Sequence, residues 1–210
     1  MSVTTANITI LTGEWEPDRI GNIDQTKRFL EGVGHLVQVY QGFNAAKLGI
    51  NSTGRLGRGH VGCILSSMAI MASSMKLQSE WAGIFESDAI MSCSPLVYKE
   101  VLKKAPDVDA LWLYATDASW YDHKYERVVF DGKRYYLVDQ CWWHLPDPIN
   151  TTAMFYNRKA RECILKHMHL DLPLDRMISD VMKKCGLKWA VSDLVDHGNF
   201  GSMTAIDSGR

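Results

Sequence analysis

The chain has 210 residues, enough for one domain with a substantial core. Lys and Arg total 23 against 24 Asp and Glu, so no bulk charge directs it to nucleic acid. No basic-then-apolar leader opens it and no apolar run reaches membrane-spanning length, so the expectation is a soluble protein without a membrane span, or one soluble domain of a longer chain.

In chain order, residues 9–11 predict a first strand, which leaves through Thr12 and Gly13. Ile20, Ile23, Phe29, Leu30 and Val33 then recur on one face of a helix. Gly32 and Gly34 stop that helix, and residues 36–40 alternate like a second strand. This β-α-β opening predicts an α/β fold with a mainly parallel sheet flanked by helices. After a glycine-rich stretch over 42–60, a second helix is predicted for 60–77. Its Val61, Ile64, Leu65, Met68, Met71 and Met75 read as a core stripe. Further strands are predicted at 81–85 and 110–115, with a helix at 96–104 between them. A hairpin comes next, 127–130 and 135–138 around Asp131-Gly132. Helices at 158–167 and 174–184 and a short strand at 187–191 complete a single domain spanning 1–210.

Glu86-x-Asp88 is the segment with the clearest chemistry. It stands where the strand at 81–85 emerges, and two acids one residue apart share a side while strand geometry persists. Carboxylates so placed invite a hard divalent cation, Mn2+ or Mg2+, which in turn neutralises phosphates. Gly57-x-Gly59-x-x-Gly62 matches the dinucleotide fingerprint, but no buried strand precedes it. It is better taken as a loop entering a helix N-terminus, with Arg55 and Arg58 available to phosphate. The cysteines Cys63, Cys93, Cys141, Cys163 and Cys185 form no CxxC, which predicts reduced thiols in a cytoplasmic compartment; there is no HExxH, and structural zinc is not expected. His167 and His169 read as exposed helix-end residues. His197 lies late in the chain, where it could return to a metal shell. Ten of the 21 aromatic residues fall between Trp112 and Trp143, a composition suited to sugar faces or bases as well as to a core. Asp175, at the start of the helix at 174–184, reads either as dipole complementation or as a general base.

Several short motifs resemble, in order, a GT-A type glycosyltransferase of the family that holds lipopolysaccharide and collagen galactosyltransferases. They are also similar to the glycosyltransferase domains of large algal viruses. These motifs are Pro17-Asp18-Arg19; Gly62-Cys63-Ile64-Leu65-Ser66; Glu86-Ser87-Asp88; Thr152-Ala153 through Arg158; and Pro173-Leu174-Asp175. The chain departs from the family pattern with Ser67 in place of a histidine and Ser87 in place of a middle acid.

The resemblance implies transfer of a hexose or deoxyhexose from a UDP-sugar donor to a hydroxyl of a glycan or glycoprotein, with inversion. Asp88, helped by Glu86 and His197, would hold Mn2+ or Mg2+ across the diphosphate. Glu86 would act through water or the ribose, and Asp175 would serve as base. Thr12 and Gly13 would line the nucleotide pocket, Arg55 and Arg58 would close on the phosphates, and the aromatic region would receive the acceptor. The resemblance places the protein in the cytoplasm, that of the host if the chain is viral. Two other classes use the same residues: a metal-dependent phosphohydrolase or nucleotidyltransferase, and a carbohydrate-binding module without catalysis.

Overall fold

The structure, a computed structural model, describes residues 3, 5–13, 19–50, 56–77, 79–114 and 150–198, and the backbone of 127–130 and 133–136. The elements in chain order are β1 (Asn7–Thr12), α1 (Ile20–Gly32), β2 (Leu36–Gln41), α2 (Arg58–Ser74), β3 (Trp81–Glu86), β4 (Ala89–Met91), α3 (Pro95–Lys103) and β5 (Ala110–Trp112). They continue with β6 (Arg127–Phe130), β7 (Lys133–Tyr136), β8 (Ala153–Asn157), α4 (Arg158–His167), α5 (Leu174–Lys184), β9 (Trp189–Val191) and β10 (Val195–His197).

Six strands form one sheet in the order β2-β1-β3-β8-β5-β9. β1 runs parallel to both β2 and β3, and β5 parallel to β9, while β8 lies antiparallel between β3 and β5. The predicted mixed, mainly parallel sheet flanked by helices is therefore present. Alternate strand residues feed two cores. Leu11, Ile84, Met154, Tyr156 and Trp112 face α2, α4 and α5. Ile8, Ile10, Phe85, Phe155 and Leu111 face α1 and α3. β1 is the point where the chain switches faces, because α1 carries it to β2 on one side and α2 carries it back to β3 on the other.

Local chemistry explains the helix ends. Ser94 caps α3 by accepting from the Val97 N–H at 3.3 Å, with Pro95 at the first helical position. Asn157 caps α4 by accepting from the Ala160 N–H at 2.8 Å. Gly34, at φ +101°, turns the chain out of α1 into β2. His35, next in the chain, is buried; its Nδ1 accepts from the Ala6 N–H at 3.1 Å and its Nε2 meets the Tyr98 hydroxyl at 3.2 Å. Burial, with Lys99 adding to it, lowers the imidazole pKa to about 4.

The strand β8 and the short pair β4–β10 were not predicted, and β5 is shorter than expected. Residues 153–157 do not alternate, because both faces of β8 are covered and four of its five residues are buried. The hairpin is present, with Phe130 opposite Lys133, so its second strand begins two residues earlier than predicted. Helices α4 and α5 have the predicted bounds. The expectation of uniformly reduced cysteines is corrected: packing of α4 on α5 brings Cys163 and Cys185 together as a disulfide, while Cys63 and Cys93 are free thiols. Cys141 lies outside the described residues. No described helix is long and apolar enough to cross a membrane.

Arg161 joins the start of β3 to α4. Its guanidinium donates to the Ser74 carbonyl at 3.0 Å, the Ser79 carbonyl at 2.9 Å and the Glu80 carbonyl at 3.0 Å, although its side chain is sealed from solvent. Leaving a buried acceptor unsatisfied costs about 1–3 kcal/mol. Arg161→Leu should therefore lower the unfolding free energy by about 3 kcal/mol or more, as read from urea denaturation.

Candidate functional site

Strands β1 and β2 end at the same edge of the sheet as β3, and β8 begins there because it runs the other way. Beyond β1 and β2 lies a cleft of about 210 Å3. Its walls are Leu11, Thr12 and Gly13 leaving β1, residues 42–46 leaving β2, and Arg58, Gly59 and Gly62 at the start of α2. Two glycines and a serine shape it. A Cβ on Gly62 would stand 2.5 Å from the Phe43 carbonyl oxygen, and one on Gly42 would stand 2.9 Å from Leu11. The Ser66 hydroxyl accepts from the Phe43 N–H at 2.8 Å and donates to the Gly62 carbonyl at 2.6 Å. Only glycine lets the segment after β2 lie this close to α2. Gly57 is the N-cap of α2 and Arg58 its first residue, so the positive end of the helix dipole opens at the cleft. The Gly57-x-Gly59-x-x-Gly62 run thus opens a helix, with no strand among the described residues between β2 and it, unlike a dinucleotide fingerprint.

Glu86 closes β3 directly beside Leu11 of β1. Its N–H donates to the Thr152 carbonyl at 2.8 Å, and Thr151 donates its hydroxyl to Glu86 Oε1 at 2.5 Å. Burial, then repulsion from Asp88, raises the Glu86 pKa to about 7; Thr151 and Arg19 oppose that rise and Asp175 adds to it. Asp175 sits in the first turn of α5, half-buried. Its Oδ1 accepts from the Arg176 N–H at 2.8 Å and its Oδ2 from the Asn150 N–H at 3.3 Å. Asn150 holds a left-handed backbone at φ +79°, while its Oδ1 accepts from both the N–H and the hydroxyl of Thr152. Residues 150–152 thereby tie Glu86 and Asp175 to one another.

Asp88 follows in the turn at Ser87 and Asp88. The strand ends at Glu86, so strand alternation does not set the side of the second acid, whose charge still reaches Glu86. Asp88 Oδ2 accepts from Arg19 Nη1 at 3.2 Å, with both side chains nearly buried. Arg19 also donates to Ser87 Oγ at 2.9 Å, and Asn22 of α1 donates to the Ser87 carbonyl at 2.7 Å. Pairing of β10 with β4 then places His197 Nε2 at 3.2 Å from the same Asp88 oxygen. The structure therefore brings Asp88 and His197 together, and His197 is in a strand, not a loop.

A carboxylate oxygen and an imidazole nitrogen at this separation fit neighbouring ligand positions on one divalent cation, since bonds of about 2.1 Å at right angles put donors about 3 Å apart. The nitrogen donor favours Mn2+ over Mg2+, which prefers oxygen alone. Glu86 does not complete this set. Among the described residues, the one group of three His, Cys, Asp or Glu donors lying within 4.8 Å of one another is Cys163, His167 and Cys185.

Of the other predicted residues, Thr12, Gly13 and Arg58 line the cleft, whereas Arg55 and most of the aromatic region, residues 115–126 and 137–149, lie outside the described residues. Ser67 is buried beside Glu86 and Met71, facing the small void between α2 and β3. Sequence reasoning missed Asn150 and Thr151 because it missed the strand they precede. It quoted Arg19 in a motif without assigning it a role.

No family model matches the chain, and no curated protein matches it. Among solved structures it is similar to A197 from STIV, with 10% identity over 90% of this chain and 83% of that one and a TM-score of 0.52. It is also similar to a glycosyltransferase involved in the glycosylation of the major capsid of PBCV-1, with 14% identity over 89% and 81% and a TM-score of 0.48. A third likeness is to the mannosyltransferase PcManGT from Pyrobaculum calidifontis in complex with GDP-Man and Mn2+, with 12% identity over 88% and 56% and a TM-score of 0.45. At 10% identity the likeness to A197 is one of fold.

The electrostatics of these groups set measurable stabilities. Asp88→Ala removes the carboxylate from a buried guanidinium and should lower the unfolding free energy by about 3–5 kcal/mol in urea, whereas Arg19→Met combined with Asp88→Leu should recover most of that loss. Glu86 and His35 act oppositely on the pH dependence of stability. The unfolded chain protonates His35 below pH 6.5 while the folded one refuses the proton until about 4, so stability falls with falling pH across that window, by up to about 3 kcal/mol. Folded Glu86 keeps its proton up to about 7 while the unfolded chain loses it near 4.5, so stability falls with rising pH across that window. Urea titrations between pH 4.5 and 6.5 should therefore show a slope of stability against pH more negative than wild type in His35→Gln, and more positive in Glu86→Gln.

Proposed function

We propose that the chain is a metal-dependent glycosyltransferase that moves a hexose or deoxyhexose from a UDP-sugar to a hydroxyl of a glycan or glycoprotein, with inversion. The observation that carries this reading is the cleft beyond β1 and β2, walled by the start of α2 and sharing its sheet edge with two separate acid centres. A crevice outside the carboxyl ends of strands, at the point where the chain switches faces, is where doubly wound sheets bind nucleotides. In this reading the uracil and ribose occupy the cleft between Thr12-Gly13 and residues 42–46. The diphosphate meets Arg58 and the N-terminus of α2, with Arg55 nearby in sequence.

Asp88 and His197 would hold the divalent cation, which supplies charge neutralisation to the departing diphosphate. Arg19 holds the Asp88 carboxylate in place for that role. Glu86 binds a ribose hydroxyl, its orientation fixed by Thr151. Asp175 takes the proton from the acceptor hydroxyl as that oxygen attacks the anomeric carbon, and the Asn150 N–H sets the direction of its Oδ2.

Calorimetric titration of UDP tests this reading. Binding in the micromolar range with Mn2+, lost with a chelator and in Asp88→Asn, is the expected result. Absence of binding under either condition would overturn the UDP-sugar reading. With a donor in hand, Asp175→Asn should slow transfer by about 100-fold or more. Release of phosphate or pyrophosphate in place of UDP would instead assign the site to hydrolysis or nucleotidyl transfer.

A further inference from the structure

On the far side of α5 from Asp175 lies a group that the proposed transfer reaction does not use. Cys163 and His167 are one turn apart on α4 and share a face. Cys185 is the residue that ends α5, and Gly186 after it holds φ at +63°. One donor atom from each of the three lies within 4.8 Å of the other two. We propose that Cys163, His167 and Cys185 form a binding site for a soft divalent cation of the zinc class when the two cysteines are reduced. This inference is independent of the transferase reading and runs against the sequence-based expectation of no structural zinc.

Three observations carry it. The donor set is two sulfurs and an imidazole, which selects zinc-class ions over Mg2+ or Mn2+ and so discriminates this position from Asp88 and His197. The spacing is suitable: the cysteine Cα atoms are 6.7 Å apart, and two metal–sulfur bonds of about 2.3 Å at a tetrahedral angle set the sulfurs about 3.8 Å apart. The electrostatics agree as well. His167 is the last residue of α4 and Cys185 ends α5, so the negative ends of two helix dipoles meet at the cluster. His167 is exposed and both cysteines are half-exposed, which gives an ion and a reductant access.

The structure holds Cys163 and Cys185 as a disulfide, so reduction precedes binding. A dithiol delivers two electrons and two protons to the two sulfurs and is itself oxidised to its cyclic disulfide. Zn2+ then displaces both thiol protons, giving two thiolate bonds, one bond to the neutral imidazole and a fourth position for water. The thiolates cancel the charge of the ion. The same three residues therefore tie α4 to α5 in either redox condition, by a covalent bond when oxidised and by a metal when reduced.

Cobalt is the probe that tests this. The full-length protein, reduced with a phosphine and freed of it, is titrated with Co2+ while the thiolate-to-cobalt charge-transfer band is followed, and Zn2+ is then added to displace the cobalt. The expected result is one equivalent bound with a band from two thiolates, and no band in the oxidised protein. The band should fall by about half in Cys185→Ser, and cobalt affinity should drop at least about tenfold in His167→Ala, whose exposed side chain can be removed without disturbing the fold. Circular dichroism confirms that each variant is folded, and if Cys185→Ser is not, His167→Ala decides. No band in the reduced protein, or a band and an affinity unchanged in His167→Ala, would overturn the proposal and trace any cobalt to the other thiols.

Discussion

The link between Glu86 and Asp175 depends on one strand running against its neighbours. β8 lies antiparallel between β3 and β5, so its first residues arrive where β3 ends. Had it run parallel, residues 150–152 would lie at the opposite edge, and Glu86 would face no hydroxyl from Thr151. The strand also anchors the helix after it: Asn157 pairs with Asp109 and caps α4 with the same side chain. That cap fixes the helix on which Arg161 reaches back to the carbonyls before β3. Burial of β8 on both faces is the cost of this position, and its sequence, with Phe155 and Tyr156 side by side, is suited to it.

Three acids end near one edge of the sheet, each with its own partners. Glu86 and Asp175 lie on the side of α2 and α5, where threonine and backbone donors satisfy them. Asp88 lies on the side of α1, where a buried arginine answers it. Carboxylates brought together in one place would each push the others toward protonation. Asp88 keeps a guanidinium at hand and an imidazole within reach, while burial and the charge of Asp88 raise the affinity of Glu86 for a proton.

Some of this was legible in the sequence and some was not, for definable reasons. Helices α4 and α5 were legible to the residue, because their amphipathic spacing begins at the polar cap Asn157 in the first and after Pro173 in the second. The β1-α1-β2 opening was legible through Gly34, which the turn into β2 requires. β8 was not, since a strand covered on both faces loses the alternation that marks one; β4 and β10 are three residues each, too short for any period to register. The direction of Asp88 was illegible because it depends on where strand geometry stops, and it stops one residue before Ser87. The link of Asp88 to His197 spans most of the chain and exists only through the pairing of β4 with β10. Ser66 of α2 entered only as the end of a motif, yet it is what fastens the segment after β2.

Arg161 has a consequence for the order in which the molecule can be made. The Ser79 and Glu80 carbonyls before β3 accept from a residue more than 80 positions later, and β3 gains its second neighbour only from β8. A nascent chain that has left the ribosome as far as β5 therefore holds a three-stranded sheet with an open edge. Such an intermediate is exposed to wrong partners for as long as synthesis of the next stretch, through β8, takes. The first half of this chain thus reaches its full set of partners only once β8 and the buried guanidinium after it have been made.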